Sequence, residues 1–372
     1  MTQNPPSCRT RLALLTTVAA LALPLVTQAG LIHRYSFNET GGTTVNDSVG
    51  GAHGELKGNN AYFDGAGRLY LPGGGASADA ADVIAGYVDL PNHIINVLQN
   101  VTFETWVTWE STSSSWQRVF DFGTSAGGED VVNGNGAYLF CSPQGPNYLR
   151  FAVRDPVTGG EPTQLTASAP LEYQTEVCLT ITYDATANVS RLYSNAVLLA
   201  TGPAGVALKD INDVNNWLGR SQWNDPMFQG NYDEFRIYDT ALNPLEVAAS
   251  FVAGPATPST DPARLGALRA VNLNVVNTTM TELDTQTVTG SADFANFQNL
   301  PLAGIPGVAL TSDNTSVLTV DAAGAVTAVR PGVAKLTLSF QGRTDEETIT
   351  VNARQTGGAD CGWHALRRPA GQ

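Results

Sequence analysis

Across residues 31–251 apolar residues recur at every second position in short runs, and Gly, Asn or Asp ends each run. In Val177-Cys178-Leu179-Thr180-Ile181-Thr182-Tyr183 the residues Val177, Leu179, Ile181 and Tyr183 share one face, and Cys178 lies on the other. In Leu149-Arg150-Phe151-Ala152-Val153-Arg154 the apolar residues Leu149, Phe151 and Val153 share one face and both arginines the other. Successive side chains of a strand point to opposite sides of the sheet, so this period of two predicts half-buried strands. Many such strands at this spacing predict a sandwich or jelly roll. One helix is predicted, where Asn243 offers an N-cap, Pro244 the first helical position and Glu246 an acid in the first turn. Val247, Ala248 and Phe251 follow it.

A second β-pattern runs from about residue 268 to 352, with Ala334, Leu336, Leu338 and Phe340 alternating against Lys335, Thr337 and Ser339. Its length suits an immunoglobulin-like sandwich. The two patterns are separated by Gly-Pro-Ala-Thr-Pro-Ser-Thr-Asp-Pro at residues 254–262, which reads as a semi-extended linker. The expected order is a signal at 1–29, a jelly roll at 30–253, a linker at 254–264, a smaller sandwich at 265–353 and a loose tail at 354–372. Two domains suit 372 residues, and 42% hydrophobic against 15% charged residues provides the cores. The chain is acidic: without Arg9 and Arg11, 18 basic residues face 34 acidic ones, a net charge of −16. Such a surface repels a polyanion, so nucleic acid is excluded as a partner.

Arg9 and Arg11 precede an apolar run at residues 12–26, and Thr27-Gln28-Ala29 ends in a small residue. This is the order of a Sec-type secretory signal, with cleavage expected after Ala29. A transmembrane anchor is the competing reading, but the run is 15 residues long and contains Pro24, whereas a span needs about 20. No transmembrane segment is expected after cleavage. Cys141, Cys178 and Cys361 then remain in an oxidising compartment. A Cys141–Cys178 bridge is the pairing considered, weighed against free thiols because sequence does not supply the Cα separation a bridge requires. No Cys-x-x-Cys spacing for a metal occurs.

The first region resembles the laminin G-like branch of the concanavalin A-like lectin/glucanase superfamily. The resemblance rests on His33-Arg34-Tyr35-Ser36-Phe37, Asp47-Ser48-Val49-Gly50-Gly51, Phe63-Asp64-Gly65, Val101-Thr102-Phe103-Glu104-Thr105-Trp106-Val107 and Trp116-Gln117-Arg118-Val119-Phe120-Asp121-Phe122-Gly123. It continues through Trp217-Leu218-Gly219-Arg220-Ser221 and Tyr232-Asp233-Glu234-Phe235-Arg236-Ile237-Tyr238. At Ser194-Asn195-Ala196 the family's usual Asn-Gly hairpin is absent, but Asn itself tolerates the left-handed conformation. The second region is similar to bacterial Ig-like domains of group 2, through Ser312-Asp313-Asn314-Thr315-Ser316-Val317-Leu318-Thr319-Val320-Asp321 and Gly324-Ala325-Val326-Thr327-Ala328-Val329. Together the resemblances imply an all-β protein exported by a bacterium, secreted or held at its surface. They imply a concanavalin A-like jelly roll followed by a spacer or adhesion module.

The superfamily also contains glycoside hydrolases, which need two carboxylates facing one cleft. The related glucanases resemble Glu-x-Asp-x-Glu or Glu-x-Asp-x-x-Glu, and neither pattern occurs in this chain. No histidine sits in a motif with Ser or Cys. The expectation is therefore a non-enzyme, with a glycosidase or lyase as the rival. Jelly-roll lectin domains often hold structural Ca²⁺, which takes six to eight oxygens. Asp47 and Asp233 are the candidate ligands, against a reading in which Asp47 caps a turn and Asp233 pairs with an arginine. An aromatic face stacks on the C–H face of a sugar while polar neighbours read its hydroxyls. Trp223, Asn224 and Asp225 in the Ser221-Gln222-Trp223-Asn224-Asp225-Pro226-Met227-Phe228 loop have that chemistry, and Trp116 is a second candidate. The competing reading is that Trp223 closes off the core and Trp116 stacks with Arg118. The expected partner is an extracellular polysaccharide or glycoprotein, with surface proteins as further candidates. A structural or adhesion protein that binds no sugar is the alternative.

Overall fold

The computed structural model describes residues 30–111 and 115–355. The proposed signal, Cys361 and the tail beyond residue 355 lie outside the described residues. Two eight-stranded antiparallel sheets form the first domain. One runs, in spatial order, through Val197–Gly202, Val189–Ser194, Glu176–Asp184, Asn100–Trp109, Gln229–Tyr238, Leu69–Pro72 and Tyr62–Phe63, with Leu31–Tyr35 also paired to Gln229–Tyr238. We call it the helix-side sheet. The other, the loop-side sheet, runs through Thr163–Thr166, Arg150–Arg154, Tyr138–Ser142, Phe120–Gly123, Asn215–Leu218, Tyr87–Leu90, Gly54–Lys57 and Thr44–Val45. The connections are those of a jelly roll.

The alternation seen in the sequence decides which faces meet. Val177, Leu179, Ile181 and Tyr183 point into the sandwich, as do Leu149, Phe151 and Val153. Phe103 and Phe235 from the helix-side sheet interlock with Phe120 and Phe122 from the other, with ring centroids 4.9–6.0 Å apart. Buried polar tips find partners across the core: the Tyr232 hydroxyl donates to the Val119 carbonyl at 2.6 Å, and Trp109 Nε1 to Gln117 Oε1 at 2.8 Å. Both sides of the hairpin at Asn195-Ala196 are left-handed, with φ of 50° and 61°. Asn195 steadies the turn by accepting the Cys178 amide on Oδ1 at 2.9 Å.

The cysteine pairing considered above is not made. Cys141 and Cys178 are both free and buried. Cys141 belongs to the core between the sheets. Cys178 alternates with the core residues of its own strand and so faces the other side of the other sheet. Burial raises the Cys141 thiol to about 12, which keeps it protonated.

The helix Pro244–Ala253 begins where the sequence places it, with Asn243 and Glu246 closing a reciprocal capping box. It covers part of the outer face of the helix-side sheet. Beneath it, Arg236 is fully buried and bonds Glu104 Oε2 at 2.9 Å and Glu234 Oε1 at 2.7 Å. Arg34 meets the same Glu234 at 2.6 Å. The guanidinium of Arg236 also lies 4.6 Å from the Trp106 ring. Both arginines donate onward to main-chain carbonyls, Arg236 to Gly254 and Pro255, Arg34 to Pro255 and Ala256. The Pro-rich segment is therefore tied to the first domain rather than standing free, because these guanidiniums have donors left over after pairing.

The second domain is a smaller β-sandwich. Its four-stranded sheet joins Thr279–Thr281, Arg343–Asn352, Gly332–Phe340 and Ala309–Ser312, and two three-stranded sheets complete it. Ala334, Leu336, Leu338 and Phe340 are buried, as their alternation predicts. Its core is continuous with the underside of the helix: Tyr193, Tyr238, Leu242 and Val247 cluster with Leu265, Phe294, Leu300 and Leu302.

Candidate functional site

The outer face of the loop-side sheet carries the candidate site. Asp89, Trp217, Asp121, Phe140 and Ala152 stand in one cross-strand row, each opposite the next. Because Cys141 and Leu139 point inward, Tyr138 and Phe140 must point outward. Loops from residues 73–84, 125–135 and 219–228 lie over this face and are tied to one another. The Ser77 amide and hydroxyl donate to the Asp225 carbonyl at 2.8 and 2.9 Å. The Ala78 amide donates to Asn224 Oδ1 at 3.0 Å, and the Gly134 amide to the Gln222 carbonyl at 2.7 Å. Arg220 stacks over Trp217 at 4.3 Å and Tyr87 at 4.7 Å, and its Nη1 donates to the Tyr87 hydroxyl at 2.8 Å.

Trp223 is 36% exposed. Its Nε1 donates to the Tyr138 hydroxyl, and its amide to Ser221 Oγ at 3.0 Å. One part of its indole rests on Gly134, where a Cβ would fall 2.4 Å from the ring. Gly134 also has φ of +54°, so a side chain there is excluded twice. The tryptophan is thus held at a set orientation with part of its surface open.

Arg118 anchors the loop to the sheet. Its Nε donates to Asp121 Oδ2 at 3.1 Å and its Nη2 to Asp225 Oδ2 at 2.8 Å, while its guanidinium lies 4.3 Å from the Phe140 ring. Ser221 Oγ donates to the same Asp225 oxygen at 2.8 Å, and the Gln222 amide to Asp121 Oδ2 at 3.1 Å. Asp121 is fully buried, and Oδ1 has no hydrogen-bond partner. Burial raises its carboxyl to about 7 against the opposing charge of Arg118. Trp116 sits half-buried beside Phe140, with ring centroids 6.4 Å apart, and the guanidiniums of Arg118 and Arg150 lie 5.8 and 5.7 Å from its ring.

On the same face, a cleft of ≈490 Å³ opens between Glu55, Lys57, Asp79, Tyr87, Asp130 and Arg220. Lys57 meets Asp89 at 2.5 Å and Asp130 at 3.9 Å. Burial works against the ammonium of Lys57, but these carboxylates outweigh it and raise its pKa.

The four residues expected to contact a ligand therefore take two roles. Trp223 and Trp116 join one aromatic cluster through Tyr138 and Phe140, whose rings are 6.0 Å apart. Asn224 Oδ1 and the Asp225 carboxylate tie the loops together, and Asn224 itself stays exposed. Arg118 was anticipated as a stacking partner of Trp116, whereas Tyr138, Arg220 and the Lys57 cleft went unrecognised in the sequence. For Tyr138 the strand alternation around Cys141 was a usable signal, whereas the cleft joins segments too far apart in sequence to be read.

Asp47 takes the role weighed against calcium, that of capping a turn. Asp47 Oδ1 accepts the amides of Arg34, Val49 and Gly50, and Oδ2 accepts the Ala52 amide and His33 Nδ1, all at 2.7–3.0 Å. Burial would raise this carboxyl, yet those bonds outweigh it and lower it to about 2. Five N–H donors around one carboxylate leave no room for a cation, which needs oxygens around it. Asp233 lies elsewhere, near Asp64 and Arg68. Among the described residues no group of three or more His, Cys, Asp or Glu is placed to hold a metal.

Residues 82–248 match the family model described as the Concanavalin A-like lectin/glucanases superfamily. No curated protein matches the chain. Among solved structures, domain 4 of an extracellular arabinanase from Geobacillus stearothermophilus, in complex with arabinotriose, aligns at 20% identity and TM-score 0.44 over 59% of this chain and 98% of that one. The CBM40 domain of the Ruminococcus gnavus IT-sialidase, bound to α2,3-sialyllactose, aligns at 17% identity and TM-score 0.35 over 41% and 82%. A Trypanosoma rangeli sialidase in complex with sialic acid aligns at 13% identity and TM-score 0.44, over 60% of this chain and 33% of the enzyme.

Proposed function

We propose that this protein is a non-catalytic glycan-binding protein whose recognition surface is the loop-covered face of the loop-side sheet. One observation carries the reading. In a domain matching a lectin and glucanase superfamily, Trp223 is an exposed aromatic fixed by Gly134 and Tyr138. Such a ring loses little freedom when it stacks on a sugar, so more of the contact appears as affinity. The non-catalytic part of the reading rests on the absence of both glucanase patterns from the sequence and on three acids of this face; the others there, Glu55, Asp79 and Asp130, line the Lys57 cleft. Asp121 is sealed from solvent, Asp225 is held by Arg118 and Ser221, and Asp89 is paired with Lys57. A hydrolase needs two carboxyls open to the substrate.

The second domain, on this reading, is an immunoglobulin-like spacer. Export from a bacterium is inferred from residues 1–29 and from the family resemblances. No helix among the described residues is long and apolar enough to cross a membrane. The test is binding of the full chain to an array of polysaccharides and glycans, with and without chelator. Specific binding that is lost in Trp223→Ala and unchanged by chelator is expected. No binding across a broad array would move the reading to a structural or adhesion protein. Release of reducing sugar would move it to a hydrolase.

A further inference from the structure

The opposite face of the domain has its own unexplained surface. The helix covers only part of the helix-side sheet, and past it the outer face lies bare. There Tyr62 and Tyr70 stand opposite each other on paired strands, with ring centroids 5.1 Å apart. Their neighbours Phe63, Leu69 and Leu71 fill the core, so alternation alone turns both tyrosines outward. Tyr62 is 55% exposed. The cross-strand row continues from Tyr70 through Asn231 and Thr108 to Glu176.

This row is acidic. Asn231 Nδ2 donates to Glu110 Oε1 at 2.7 Å, and Arg68 reaches Glu176 at 3.4 Å. A register shift between Tyr232 and Glu234 inserts Asp233 beside the row. Asp64, Glu110, Glu176 and Asp233 thus lie along or beside this row, with Arg68 as the nearby cation. Their charges are not balanced. Glu176 is raised by burial and by Asp233, and Asp233 by burial and by Asp64, each relieved only in part by Arg68.

We propose that Tyr62 and Tyr70 form a second ligand surface, on the sheet opposite Trp223, and that its ligand is a glycan bearing free amino groups. Ring faces of such a glycan present C–H groups to the tyrosines, and its ammonium groups meet the carboxylates that Arg68 leaves unpaired. An acetylated or anionic glycan offers only the first contact or is repelled.

The test uses the full chain and oligomers of β-1,4-linked glucosamine, with fully N-acetylated oligomers as the neutral control, measured by calorimetry at pH 6. Saturable binding of the amine form is expected, at least about tenfold tighter than the acetylated form. Tyr62→Ala and Asp233→Asn are each expected to weaken it about tenfold, while Trp223→Ala leaves it unchanged. Both altered side chains are at the surface, and circular dichroism checks that the fold is kept. Equal affinity for both oligomers, or no saturable binding, overturns the proposal. Binding that survives Tyr62→Ala and disappears at 150 mM salt would be general attraction of a polycation to an acidic chain, and also overturns it. Loss in Trp223→Ala alone would place the ligand on the loop-side face. Failure here leaves the Trp223 reading intact, because the two surfaces lie on opposite sheets.

Discussion

Asp121 and Asp47 are carboxylates that the fold treats in opposite ways. Asp121 has a folded pKa of about 7, above the ordinary value near 3.9, so the folded state holds its proton more tightly than the unfolded chain does. Its contribution is fully present below about pH 4 and is lost as pH rises toward 7. Asp47, lowered to about 2, contributes above about pH 4 and loses that contribution as pH falls toward 2. Between them they place greatest stability in mildly acidic solution. Thermal melts from pH 3 to 8 should show the midpoint falling between about pH 4 and 7, and Asp121→Asn should flatten that limb. At Gly134 a different limit applies. Gly134→Ala places a methyl group against the Trp223 ring in a left-handed conformation, so it should cost about 1–2 kcal/mol in denaturant unfolding and weaken any ligand that Trp223 carries.

At the scale of elements, the buried Arg236 is the part whose removal should be felt most. It neutralises Glu104, which is fully buried and whose pKa burial raises. Arg236→Met leaves that carboxyl without its charge partner and frees the carbonyls of Gly254 and Pro255. A loss of about 3–5 kcal/mol in urea unfolding is expected, whereas Arg236→Met combined with Glu104→Gln should recover part of it. The helix cap is a milder case. Asn243→Ala removes the acceptor for the Leu245 and Glu246 amides and should cost about 1 kcal/mol. The helix was readable because its capping signals are local, three residues apart. The Arg236–Glu104 pair was not, since its members are 132 positions apart and a period of two says only that both face outward.

For the whole molecule, the composition of residues 254–262 predicts two bodies on a loose tether, while the packing joins them. Phe251 of the helix meets Phe297 of the second domain edge-on, with ring centroids 6.3 Å apart, and Leu242 and Val247 share a buried cluster with Leu300 and Leu302. Apolar area buried between the domains couples their unfolding. Scanning calorimetry of the full chain should therefore show one main transition, and Phe297→Ala should split or broaden it. Two well-separated transitions in the unaltered chain would show that the shared cluster contributes little to either domain.

What the sequence by itself determined is the all-β class, the facing of those strands whose alternation is clear and the capped helix at Pro244–Ala253, because alternation and capping act over a few residues. It also marked Trp223 as an aromatic in a polar loop, a feature of composition. Tertiary structure alone decided what the polar residues do. It used Asn224 Oδ1 and the Asp225 carboxylate as loop ties, surrounded Asp47 with N–H donors and set Asp233 by Asp64 and Arg68. It also set Cys141 and Cys178 on faces that never meet. Most of those outcomes depend on a partner tens of residues distant or on the opposite face of a sheet, where no local pattern reaches; the turn around Asp47 is the exception, since Val49, Gly50 and Ala52 are two to five residues away.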